Sequence, residues 1–272
     1  MKGKKLCVAL AGVFSVAACF GAFGLLRNVQ KRVLSGNADA YLFENGYSDS
    51  LIAGMSGLTK RLLYEENAVF ERASTMREGE EVVPGIFLQS ELPGFSHVLI
   101  VSDCTTEKNY PKKILTYCWN WTGDQAADDE SVELVWSGGF IALPETALFE
   151  IHGVGQIDIN RSHSVPGYDP PYVEYENGTF LVERGNDAIT SYSPGLGVGH
   201  RFAINDGLTF TRTYASGACN TYAIDPNNYS GCFSITLIKY SEREETNFVF
   251  ATYTHGVKRT MESFSVAAKG TL

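Results

Sequence analysis

The sequence predicts a mainly β protein, an antiparallel β-sandwich-like domain preceded by an N-terminal apolar membrane segment and one short amphipathic helix. Three observations predict it. From residue 82 onward the chain is a succession of short runs rich in Val, Ile, Thr, Tyr and Phe, separated by Gly, Pro, Asn and Asp, the punctuation of strands and turns. Several of those runs alternate: Leu208, Phe210, Arg212 and Tyr214 with three threonines, and Phe233, Ile235 and Leu237 with Ser234 and Thr236. Such a strand has one buried and one wet face. Only one stretch repeats its apolar residues at helical spacing, and many strands with a single helix point to packed antiparallel sheets.

Taken in order, the chain begins with Lys2, Lys4 and Lys5, followed by 21 residues from Leu6 to Leu26 without a charge. About 20 apolar residues span a hydrocarbon core of roughly 30 Å, whereas a secretory h-region needs only about 7–15. Length favours a retained anchor over residues 6–26. Ala38-Asp39-Ala40 has the form of a cleavage site, so a cleaved signal peptide is the alternative. A third reading is lipidation at Cys19, in the lipobox-like Val16-Ala17-Ala18-Cys19. Residues 1–36 are therefore assigned to the signal or anchor with its basic flank, 37–81 to a linker and helix, and 82–272 to a β-rich extracytoplasmic domain. The helix is expected from Ser48 to about Ala73, carried by Leu51, Met55, Leu58 and Leu62 and weakened by roughly 1 kcal/mol at each of Gly54 and Gly57.

Strands are expected over residues 96–102, 112–121, 131–136, 146–152, 156–161, 171–176, 179–183, 200–204, 208–214, 233–237 and 247–254. The Pro- and Gly-containing stretch 161–171 reads as a long surface loop. From Tyr41 onward sixteen Lys and Arg face thirty Asp and Glu, an acidic surface that repels phosphate backbones and anionic lipid headgroups. No nucleic-acid partner is expected, and contact with a membrane only through the N-terminal segment.

Cys104, Cys118, Cys219 and Cys232 lie beyond the apolar run. Their even number and the short spacings 104 to 118 and 219 to 232 suit two local disulfides in an oxidising compartment, although four cysteines allow three pairings. Neither C-x-x-C nor histidine spacing accompanies them, so zinc is not expected. The motifs that would carry catalysis are missing too. The sequence has no G-x-S-x-G, H-E-x-x-H or Ser-x-x-Lys, and the five histidines are scattered. Gly195-Leu196-Gly197-Val198-Gly199 lacks the strand-to-helix context of a nucleotide fingerprint and reads as a loop between strands. Leu143-Pro144-Glu145-Thr146-Ala147 resembles a sortase signal but sits mid-chain without an apolar tail. Asp124, Asp128, Asp129 and Glu130 form an acidic turn without calcium-loop spacing. No metal and no cofactor is expected.

Tyr117, Trp119 and Trp121 fall at i, i+2 and i+4, one face of a strand, and Trp136 ends the next strand. Exposed, such a row of rings stacks on sugars or grips a partner; buried, it is the inner face of a sandwich. The whole motif, Tyr117-Cys118-Trp119-Asn120-Trp121, an acidic Asp128 or Asp129 and Val132-Glu133-Leu134-Val135-Trp136, resembles a pattern in uncharacterised secreted and surface β-rich proteins of Gram-positive bacteria. That resemblance covers about 20 residues and implies an exported bacterial β-domain with no assigned chemistry. The leading functional reading is a noncatalytic exported cell-surface or envelope protein that contacts a protein or glycan, with Tyr117, Trp119, Trp121 and Trp136 as candidate binding residues. The alternative is a secreted hydrolase whose site leaves no trace in sequence spacing.

Overall fold

The computed structural model describes residues 37–74, 88–89, 94–106, 111–123, 129–137, 139–159, 172–204, 207–240, 248–257 and 262–271. The expected membrane segment (residues 6–26), the surface loop 161–171 with His163, and Asp124 and Asp128 of the acidic turn lie outside that set. Among the described residues no helix is long and apolar enough to cross a membrane.

Where one helix is expected there are three short ones, α1 (37–44), α2 (Asp49–Gly54) and α3 (Gly57–Glu65). Residues 37–47, read from sequence as linker, supply α1. The divisions follow from local chemistry. At the end of α1, Gly46 takes φ +93°, and the amides of Gly46 and Tyr47 bond back to the carbonyls of Phe43 and Leu42, a Schellman closure. Ser48 caps α2 and Ser56 caps α3, each hydroxyl accepting a backbone amide three residues on. α3 closes as α1 does, with Asn67 at φ +52° and the Ala68 amide on the Leu63 carbonyl. The chain then turns extended as β1 (Val69–Ser74), cutting short the helix expected to reach residue 73.

Thirteen strands follow among the described residues: β1, β2 (Leu88–Gln89), β3 (Phe95–Asp103), β4 (Lys112–Thr122), β5 (Asp129–Trp136), β6 (Phe140–Ile159), β7 (Tyr172–Arg184), β8 (Ser191–Ser193), β9 (Gly197–Phe202), β10 (Thr209–Thr213), β11 (Cys219–Lys239), β12 (Phe248–Val257) and β13 (Glu262–Thr271). All pairings are antiparallel. One sheet runs β1-β3-β4-β11-β6-β7, with β2 on β3 and β10 on β11; the other runs β13-β12-β5-β9-β8. Leu99, Tyr117, Trp119, Phe149 and Phe233 of the first sheet share one core with Val132, Leu134, Trp136, Val249 and Tyr253 of the second. The outer face of the first sheet is covered as well. Leu42, Leu51, Met55 and Leu63 from the helices pack on Val98, Ile100, Ile114, Cys118 and Cys232.

That layering explains two sequence patterns. β3 and β4 are buried on both faces, so six consecutive residues of each are inaccessible and their sequences read as near-continuous apolar runs. β5 buries one face only and alternates cleanly. The runs expected as separate strands at 146–152 and 156–161 are one strand, β6, as are those at 171–176 and 179–183, in β7.

Candidate functional site

The aromatic row expected to grip a partner faces inward. Tyr117, Trp119, Trp121 and Trp136 are 0%, 1%, 4% and 0% exposed, and their rings pack on Phe95, Phe149, Phe202 and Tyr253 of the shared core. Burying about 150–250 Å² of ring is worth more in a core than on a surface, so the row serves packing and offers no stacking platform.

The expected local disulfides are also overturned, for no described cysteine is bonded to another. Cys118 stands opposite Val98 across β3–β4, six positions from Cys104, about 20 Å along the strand. Cys219 and Cys232 lie thirteen positions apart on the same strand, β11. A disulfide needs its Cα atoms within about 7 Å. Cys118 instead sits beside Cys232, its register partner across β4–β11.

Each of the four described histidines has a partner, and three are sealed in the interior. His97 shares a 2.8 Å hydrogen bond with the Tyr117 hydroxyl, and burial pushes it down to about 4. His200 Nε2 lies 2.9 Å from Glu183 Oε2, and burial pushes the imidazole down to about 4 as well. His255 Nδ1 is 2.7 Å from Glu130 Oε1, which also accepts the Tyr229 hydroxyl at 2.7 Å. Glu130 is 1% exposed, and burial raises its pKa. Because this residue of the expected acidic turn points into the core, it is not available to a surface cation. Among the described residues no three His, Cys, Asp or Glu could hold a metal.

These buried rings set the acid limb of stability. An unfolded histidine titrates near 6.5, so between that value and about 4 the unfolded chain holds protons that folded His97 and His200 do not. Their contribution is complete above about pH 6.5 and is lost as pH falls toward 4. The expected result is an unfolding free energy, measured by urea titration, that drops across that window with a slope of at most about 1.4 kcal/mol per pH unit per histidine. His97→Gln, whose amide can still meet the Tyr117 hydroxyl, flattens it. An acid limb of the same slope in that variant refutes the assignment.

His152 is different, because it reaches a cleft. Glu150 and His152 alternate on β6 and share the outer face with Cys232 and Ser230 of β11. Glu150 is fully buried beneath α3. Its Oε1 accepts the Ser56 hydroxyl at 2.6 Å and the Thr59 hydroxyl at 2.8 Å, and its Oε2 is 3.1 Å from His152 Nε2. A carboxylate only accepts, so Nε2 carries the proton and donates, and Nδ1 accepts the Thr179 hydroxyl at 3.0 Å. The imidazole is thereby fixed in orientation and tautomer at the wall of a cleft of about 400 Å³, lined by Asn120, Asn177, Asn228, Ser230 and His152 together with Gly153 and Gly178. Among the described residues no Lys, Arg, Asp or Glu lines it. Sequence reasoning missed this site because its groups come from four strands and one helix. The only local trace is the i, i+2 spacing of Glu150 and His152.

No protein-family model matches the chain, and no curated protein sequence does. Among solved structures, the collagen-binding subdomain of the Enterococcus faecalis surface protein ACE is similar at 10% identity and a TM-score of 0.25, over 61% of this chain and 88% of that one. A collagen-binding domain from a Staphylococcus aureus adhesin is similar at 11% identity and the same TM-score, over 60% and 98%. A superposition that loose settles neither the fold nor a ligand.

Proposed function

We propose that this chain is an exported, noncatalytic surface or envelope protein, and that the cleft beside His152 is where it contacts a macromolecular partner. One observation carries the reading: the cleft is the described place where several amide and hydroxyl side chains converge on open space with no ionised group among them. Amides and hydroxyls bond equally to sugar hydroxyls and to peptide groups, so the lining suits a neutral polar stretch of glycan or protein. The N-terminal apolar run and the acidic body support export to the cell surface. Glycan- and peptide-array binding of the full-length chain tests it. Asn120→Ala combined with Asn228→Ala is expected to weaken a bound probe about tenfold or more, the worth of two lost hydrogen bonds. Undiminished binding by the double variant, or no binding by the parent protein to either array, refutes the cleft as the contact site.

The Thr179–His152–Glu150 sequence of hydroxyl, imidazole and carboxylate favours a second reading, a hydrolase with Thr179 as nucleophile. Turnover of an ester panel that vanishes in Thr179→Ala would select it over binding.

A further inference from the structure

We infer that Cys118 and Cys232 are joined by a cross-strand disulfide when the protein occupies an oxidising compartment. The two residues are direct partners in the β4–β11 ladder, so their side chains leave the sheet on the same face. Opposite residues in an antiparallel pair have Cα atoms about 4.5–5.5 Å apart, inside the range of about 4.4–6.8 Å that a disulfide accepts. The thiols are in contact with each other, and both are buried beneath the helices in the cluster of Leu51, Met55 and Val98. No other pairing of the four meets these conditions. Cys104 lies at the end of the first sheet where Lys112 meets Ile238, and Cys219 at the opposite end of β11. Cys219 is exposed.

The step is a thiol–disulfide exchange. A disulfide-donating oxidant accepts two electrons and two protons from the pair, leaving one S–S bond in the protein and a dithiol on the oxidant. The exchange precedes closure of the helical layer, because burial and the neighbouring Glu150 hold the folded Cys118 thiol well above its usual range, where thiolate is scarce.

This inference rests on the export reading, and two arms of one experiment keep them apart. In the first, the full-length chain is recovered after export, blocked with an alkylating reagent in denaturant without reductant, and digested. The expected product is one linked peptide pair containing Cys118 and Cys232, lighter by two hydrogens than its reduced components. In the second, chain made in a reducing cytosol is unfolded in urea and refolded in a glutathione redox buffer, and the same linked pair is expected. Linkage in the second arm alone supports the pairing and sinks export. Alkylation of both residues in both arms, or linkage of either to Cys104 or Cys219, overturns the inference. Because both thiols resist alkylation in the native fold whether bonded or not, the denaturing block decides the result.

Discussion

Trp119→Ala is expected to destabilise the fold by about 3–5 kcal/mol, the cost of a large cavity in a closed core, and to leave the surface unchanged. The indole is 1% exposed and touches four rings: Tyr117 at 5.8 Å between centroids, Tyr253 at 5.4 Å, Phe202 at 5.8 Å and Phe149 at 6.0 Å. Two of those rings belong to the second sheet, so the cavity opens where the sheets meet. The backbone makes room for it. Gly231 is the register partner of Trp119 on β11, and a Cβ there would run into the indole and stand 2.8 Å from the Glu150 carbonyl oxygen. Gly231→Val is therefore expected to cost about 1–3 kcal/mol by overpacking the same spot from the other side. Urea unfolding of both variants measures these losses. A Trp119→Ala protein of parental stability that had lost a binding partner would restore the aromatic row as a contact surface.

The distance between sequence and structure at this residue is instructive. Alternation at Tyr117, Trp119 and Trp121 correctly places three rings on one strand face, but alternation cannot say whether that face meets water or a second sheet. The answer depends on β5, β9 and β12, which reach the row only through folding. Strand content was legible because β-branched and aromatic runs between turn residues encode it locally. The same logic failed for cysteine pairing. Short spacing suggested 104 with 118, whereas antiparallel register brings residue 118 to residue 232. It failed again near residue 48. One amphipathic stripe conceals two helices, α2 and α3, with α1 lying ahead of it, and Gly46, Ser56 and Asn67 mark boundaries that a hydrophobic pattern alone does not register. The cleft was the least legible feature, since Asn120, Thr179 and Ser230 acquire meaning only beside His152.

Glu150→Gln is expected to lower stability by about 2–4 kcal/mol and to loosen α3 selectively. The carboxylate is fully buried and accepts three hydrogen bonds from the protein: from the Ser56 hydroxyl, the Thr59 hydroxyl and His152 Nε2. Hydrogen bonds to a charged group contribute about 1.5–3 kcal/mol each in favourable settings, and the negative charge lies against the N-terminus of α3, where the helix dipole favours it. A glutamine keeps the volume but turns one acceptor into a donor, so one of the three partners must face an N–H. Ser56 also caps the helix by accepting the Thr59 amide at 2.9 Å, so disturbing its hydroxyl disturbs the cap. Hydrogen exchange should show amides of α3 opening at least tenfold more often, while β4 and β11 retain their protection; the imidazole, released on one side, should widen its range of positions at the cleft. That outcome would tie the helical layer to the candidate contact site, because a single buried charge holds both. Equal protection of α3 in the variant and the parent would show that apolar contacts of Leu51 and Leu63 anchor the helices without it, and that the orientation of His152 has another source.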